Sequence, residues 1–207
     1  PVEQVAQRLG VHQAVLDRYV LGKTRAMVES VQRCMDAYDL AGSCQVVSNY
    51  LDALNNWYIR RSRERFWGET GPADRQDAYD TLYTCLVLLC QAAAPLLPLL
   101  CEKVWTGLTG GESVHLAGWP DVSKLPLDAQ LVAQMDRVRD ACSVGLSLRE
   151  SKKLRTRLPL PKVVLAGADA AAMQPFVHLL QDETNVKQVA FASDITAFGS
   201  FRLQIDA

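Results

Sequence analysis

Histidine is scarce in this chain. Three (His12, His115 and His178) serve 207 residues, and none has a partner at metal-ligand spacing, so no zinc centre is expected. The six cysteines (Cys34, Cys44, Cys85, Cys90, Cys101 and Cys142) form no C-x-x-C pair. Most fall at apolar-periodic positions, which reads as buried free thiols in a reducing cytosol. No run of about 18 uncharged apolar residues occurs. The most apolar stretch, CLVLLCQAAAPLLPLLC at 85–101, is interrupted by Pro95 and Pro98, and no membrane span is expected. A Gly-rich phosphate loop, H-E-x-x-H, G-x-S-x-G and a His–carboxylate–nucleophile set are all missing, so the chain itself is expected to catalyse nothing. The first residues, PVEQVAQRLG, contain neither a starting Met nor a basic leader, and read as part of something longer.

What is present is ordinary for a globular protein: 49% hydrophobic and 22% charged residues. Apolar periodicity predicts a helix over 14–38 (Met27, Val31, Cys34, Tyr38) and another over 43–65 (Val47, Tyr50, Leu54, Trp57). After a GETGP loop at 68–72, Asp74 is expected to cap a third helix carrying Ala78, Leu82, Cys85 and Leu89 inward. Pro98 starts a short fourth helix to about Leu108, and 109–126 form a long connection. Asp128 opens a fifth through about Lys153, with Leu131, Met135, Val138, Cys142 and Leu146 on one stripe. After RLPLP at 157–161 the pattern becomes strand (KVVLAG), helix (170–181), strand (186–191) and strand (200–205). The expected fold is mainly α: an antiparallel bundle over residues 1–155, then a small α+β (βαββ) appendage over 156–207.

A net charge of −1 argues against a general nucleic-acid binder, but the charge is unevenly spread. Residues 60–65 hold four arginines and one glutamate, and RESKKLRTR at 149–157 holds five basic groups and one acid. Taken alone, either island is also compatible with a solvated helix end or linker. A helical wheel separates the first four arginines. With Arg60 at zero, Val47, Tyr50, Leu54, Trp57 and Tyr58 fall between about 60° and 160°, and Arg61 and Arg65 lie on that arc. Asn49, Asp52, Asn56, Arg60 and Arg63 fall between about −80° and 0°. Arg61 and Arg65 are therefore expected to lay their stems over the core, heads paired with a carboxylate or reaching water. Asn56, Arg60 and Arg63 form a polar stripe suited to phosphates and base edges. Trp57 and Tyr58 are expected in the core. Lys152, Lys153, Arg155 and Arg157 fan out where a helix becomes an extended segment, and are nucleic-acid candidates from charge alone.

Five stretches follow one another in the order of a known pattern: VLDRYVLGKTRAMVESVQRCMDAYDL (15–40), NNWYIRRSRERFW (55–67), LYTCLVLLCQAAAPLLPLLCEKVW (82–105), SVHLAGWPD (113–121) and LRTRLPLPKVVL (154–165). The most specific elements are Asn56-Trp57-Tyr58-Ile59-Arg60 with Arg63, and Ser113-Val114-His115 ahead of Trp119-Pro120; Ala94, Pro95, Pro98 and Glu102 are shared more widely. The chain resembles the C-terminal, anticodon-binding part of the isoleucyl-tRNA synthetases, class I enzymes, in their long bacterial form. The resemblance implies a cytoplasmic helical domain that holds the anticodon stem-loop of isoleucine tRNA. It also implies that chemistry using ATP and magnesium belongs to a catalytic domain of the same polypeptide, whose signature motifs are absent here, as is a C-terminal zinc element of some bacterial members. Two other readings stay open at this point: a helical domain-bracing or protein-interaction module, and the equivalent domain of a valyl-tRNA synthetase.

Overall fold

The computed structural model describes residues 15–68, 71–196 and 198. The chain divides between Ala129 and Gln130 into two compact units.

In the first unit, α1 (Val15–Asp36) presents Val20, Leu21, Met27, Val28 and Val31 inward. It ends in a Schellman turn: Asp39 N–H reaches the Cys34 carbonyl (2.8 Å) and Tyr38 N–H the Met35 carbonyl (3.0 Å). Tyr38 takes the left-handed position (φ 57°) and is 92% exposed, so it leaves the apolar stripe on which the sequence placed it. Asp39 at once caps α2 (Leu40–Asp52), its carboxylate accepting from Gly42 N at 2.8 Å. The helix then continues as a π-helical stretch, Ala53–Ile59, turns at Ser62, and resumes as the short α3 (Arg63–Trp67).

Helix α4 (Pro72–Ala93) starts two residues before the expected cap. Pro72 has a fixed φ and no N–H, which suits the first helical position, and leaves Asp74 in the first turn with its carboxylate free for another role. Helix α5 (Pro98–Thr109) closes on Gly110 at φ 62°. In the connection that follows, Glu102 Oε2 accepts from Ser113 Oγ and Val114 N, both at 2.9 Å, and Gln91 Nε2 donates to the Gly118 carbonyl at 3.1 Å. The core of this unit includes Val47, Tyr50, Leu54, Tyr58, Phe66, Cys85, Leu88 and Cys101. Thr24, buried in α1, donates to the Val20 carbonyl at 2.8 Å and lies 2.7 Å from the Tyr50 hydroxyl, linking α1 to α2 by a polar contact.

The carboxylate of Asp17 has no solvent exposure. Arg65 grips it with two parallel bonds (Nη1–Oδ1 2.7 Å, Nη2–Oδ2 2.8 Å), and the Tyr58 hydroxyl donates to Oδ1 at 2.8 Å. The same guanidinium, 13% exposed, reaches Asp74 through Nε at 2.9 Å. One cation thus ties α1, α3 and α4 together. Burial works against the charge on Arg65, but its bonds to Asp17 and Asp74 outweigh that and hold the guanidinium above its ordinary pKa. Burial, and then the Asp17 carboxylate, push the Tyr58 phenol far above its usual range, so it stays a donor.

The second unit contains α6 (Ala129–Ser151), β1 (Leu160–Ala166), a 3-10 turn (Ala170–Phe176), α7 (Val177–Thr184) and β2 (Val186–Ala192). The strands pair in parallel, Leu160 opposite Val186 and Leu165 opposite Phe191, forming a βαβ crossover. The strand expected at 200–205 lies outside the described residues. The sequence places the division after residue 155, whereas α6 packs with the strands' unit. Gly145 explains the fit: a Cβ there would stand 3.1 Å from Thr184 Cγ2, so glycine lets α6 approach α7. Arg137 pairs with Asp169 at 3.2 Å.

Arg65→Ala strands the Asp17 charge, and its expected cost is about 3–5 kcal/mol of stability. Arg61→Ala, which removes a half-buried stem and the contact with the Trp57 ring, should cost less, about 1 kcal/mol. Denaturant titration of the two variants beside the parent chain checks that order; equal stabilities would refute it. Of the cysteines, Cys44 is exposed and Cys34 half-buried, while Cys85, Cys90, Cys101 and Cys142 are buried. Burial pushes the Cys85 and Cys90 thiols up to about 11. A maleimide at neutral pH should therefore label Cys44 first and the four buried thiols only after unfolding, as read by peptide mass mapping.

Candidate nucleic-acid interface

The π stretch decides which side chains face outward. Arg60 N–H bonds the Asn55 carbonyl, five residues back, so one extra residue is taken up within a turn. Buried positions then step by four, Leu54, Tyr58, Ser62 and Phe66. An unbroken α-helix would carry Phe66 off the apolar arc; the wider turn brings it into the core. The arginines divide as the wheel indicated, even though the helix is interrupted at Ser62. Arg65 is locked to Asp17, and Arg61 lies half-buried with its guanidinium 5.1 Å from the centroid of buried Trp57. Arg60 and Arg63 are exposed, and so are Asn49, Asp52, Asn55 and Asn56.

The exposed stripe is braced along its length. Gln45 Nε2 donates to Asn49 Oδ1 (2.8 Å), Asn56 Nδ2 to Asp52 Oδ1 (2.7 Å), and Arg60 Nε to the Asn56 carbonyl (3.1 Å). The Asn56 amide is thus partly engaged with a carboxylate, while its neighbour Asn55, which a regular wheel puts off the stripe, shares the exposed face. Arg63 sits one turn before Trp67, its guanidinium 5.9 Å from the indole centroid. Chemically, the stripe offers guanidinium forks for phosphate and amides for base edges.

The second island lies in the other compact unit. Helix α6 also ends in a Schellman turn: Leu154 N–H reaches the Arg149 carbonyl and Lys153 N–H the Glu150 carbonyl, both at 2.8 Å, with Lys153 at φ 55°. Lys152, Lys153, Arg155 and Arg157 are all exposed in this one turn. Arg149, counted with them by charge, is buried instead. Its Nη2 donates to the carbonyls of Arg155 (2.8 Å), Thr156 (3.1 Å) and Leu158, and Asn185 Nδ2 adds a bond to Thr156 O at 2.9 Å. Its role is to shape the turn. The signal was legible, because Arg149 follows Cys142 by seven residues on the buried stripe of α6. Asp17 and Ser62 gave no comparable signal; a lone acid or serine in a helix is ordinarily solvated.

Glu102 fastens Ser113-Val114, while His115 is exposed. Among the described residues no group of three or more His, Cys, Asp and Glu could hold a metal ion, and no helix is long and apolar enough to cross a membrane.

Comparison with known proteins gives this architecture its context. The chain is 49% identical over 193 residues to the isoleucine–tRNA ligases of Nocardia farcinica and of Mycobacterium tuberculosis, covering 93% of this chain and 18% of each relative. It is 51% identical over 185 residues to that of Leifsonia xyli, covering 89% and 16%. The chain therefore spans less than a fifth of the length of these curated relatives. A family model described as the anticodon-binding domain of tRNA ligase matches residues 17–164, from the buried Asp17 through the π stretch and the basic turn into β1. With its clamp and its outward Asn–Arg face inside that span, the chain belongs to the family of anticodon-binding domains of tRNA ligases.

Proposed function

We propose that this chain is the anticodon-binding region of an isoleucine–tRNA ligase and holds the anticodon stem-loop of isoleucine tRNA. The carrying observation is the family match over 17–164, joined to 49% identity across 93% of the chain with relatives named for isoleucine rather than valine. In this reading Arg60 and Arg63 take backbone phosphates, and Asn56 presents its amide to loop bases that are already unstacked. Lys152, Lys153, Arg155 and Arg157 form a second phosphate grip. Discrimination arises because a wrong base leaves polar groups unpaired. Aminoacylation, with ATP and magnesium, belongs to the catalytic domain of the same polypeptide, in the cytoplasm. This region acts on it by orienting the acceptor end of the tRNA.

Titrating the chain with a labelled isoleucine anticodon stem-loop at two salt concentrations, beside an anticodon-swapped loop, tests the reading. Binding should weaken steeply with salt and favour the isoleucine loop; absence of salt-dependent binding would remove the RNA assignment. Arg60→Ala and Arg63→Ala should each lower affinity about three- to tenfold and reduce the salt slope by about one. Their stability should stay within about 0.5 kcal/mol of the parent.

A further inference from the structure

Trp67 ends α3 and is 71% exposed, while its sequence neighbour Phe66 is buried. Single exposed apolar side chains are ordinary, but an indole at the edge of a cationic stripe offers a large apolar surface to a ligand. Two observations show that this ring is held rather than trailing. Phe66 meets it edge-on, ring centroids 5.6 Å apart at 66°, and Phe66 is itself fixed against Tyr58 (6.4 Å, 80°) and Tyr79 (5.3 Å). Arg63, one helical turn earlier and exposed, keeps its guanidinium 5.9 Å from the indole centroid. The backbone is anchored too: Gly68 N–H bonds the Glu64 carbonyl at 2.7 Å, and a Cβ at Gly68 would come within 2.5 Å of that oxygen. Two residues back, Arg65 is clamped to buried Asp17. The result is a held indole with a guanidinium over one side of its ring, which leaves the exposed remainder of the ring for a stacking partner.

We infer that Trp67 is a stacking platform for one unpaired base of the bound RNA loop, with Arg63 neutralising the phosphate next to that base. The inference rests on the RNA reading proposed above and names one of its contacts. The chemistry matches the ligand: every nucleobase has a π face, and aromatic stacking tolerates any base while adding affinity in proportion to ring area. An adjacent guanidinium serves the phosphate and polarises the stack. Nothing in this pairing reads base identity, so the platform contributes affinity and holds the loop open, while amides on the stripe supply selectivity.

The test uses the 207-residue chain and isoleucine anticodon stem-loops carrying 2-aminopurine at each loop position in turn. With the parent chain, one position should lose emission on binding, the mark of stacking. Trp67→Ala should weaken binding about tenfold and leave that position bright, its melting curve showing that it is still folded at the assay temperature; Trp67→Phe should restore the quench and stay within about threefold of the parent. Discrimination between the isoleucine and swapped loops should be the same in all three. If Trp67→Ala binds and quenches like the parent, the platform is refuted while the RNA reading stands. If the parent binds neither loop, the RNA reading falls and takes the platform with it; an exposed indole awaiting a protein surface would then remain.

Discussion

A carboxylate with no solvent exposure is the constraint on which the first unit depends. Asp17 is stable there only because Arg65 supplies two parallel charge-assisted bonds and Tyr58 a third donor. Breaking that set leaves a buried charge without compensation, so its geometry is strict: a guanidinium fork must arrive from α3 at the height of the first turn of α1. Asp74, released from a capping role by Pro72, closes the other side of the same guanidinium. Three helices are thereby fixed at one point, and the direction of α3 follows. With Arg65 and Phe66 inward, Arg63 and Trp67 have only the outer side left.

The backbone irregularities serve this arrangement. In a uniform α-helix from Leu40, Phe66 would fall off the apolar arc that still holds Tyr58. The π stretch takes up one residue and the turn at Ser62 restarts the helix, so the buried series stays aligned while Asn55, Asn56 and Arg60 gather on the outside. Such stretches are uncommon and recur at functional sites. The second unit uses a different device for the same end: Arg149, buried, gathers the carbonyls of the following turn, and the surrounding lysines and arginines project outward. In both places a hidden arginine organises the backbone and exposed ones carry the charge.

Much of this was legible from residue spacing. The mainly α character, the βαβ order and the separation of Arg61 and Arg65 from Arg60 and Arg63 follow from apolar periodicity, which burial enforces. Periodicity failed where hydrogen-bond geometry, not hydrophobicity, sets the chain. Tyr38 lies on the extrapolated stripe of α1 but occupies the left-handed site of a Schellman turn, where glycine is the usual signal. Asp74 has the composition of a cap, yet proline two residues earlier takes the start of the helix. The partner of Arg65 could not be named, because Asp17 is 48 residues away and nothing local distinguishes it. Asn55 and Trp67 depend on a π turn and a helix end that a wheel with fixed angles does not contain.

One short segment holds arginines of two kinds, a structural clamp and an exposed pair proposed to face RNA. Arginine-selective glyoxal labelling, followed by peptide mass mapping with and without the isoleucine anticodon stem-loop, examines both kinds in one experiment. Arg60 and Arg63 should label readily in the free chain and be protected by RNA, while Arg65 stays unlabelled in both states. Ready labelling of Arg65 in the folded chain, or RNA binding that leaves Arg60 and Arg63 as reactive as before, would contradict that division.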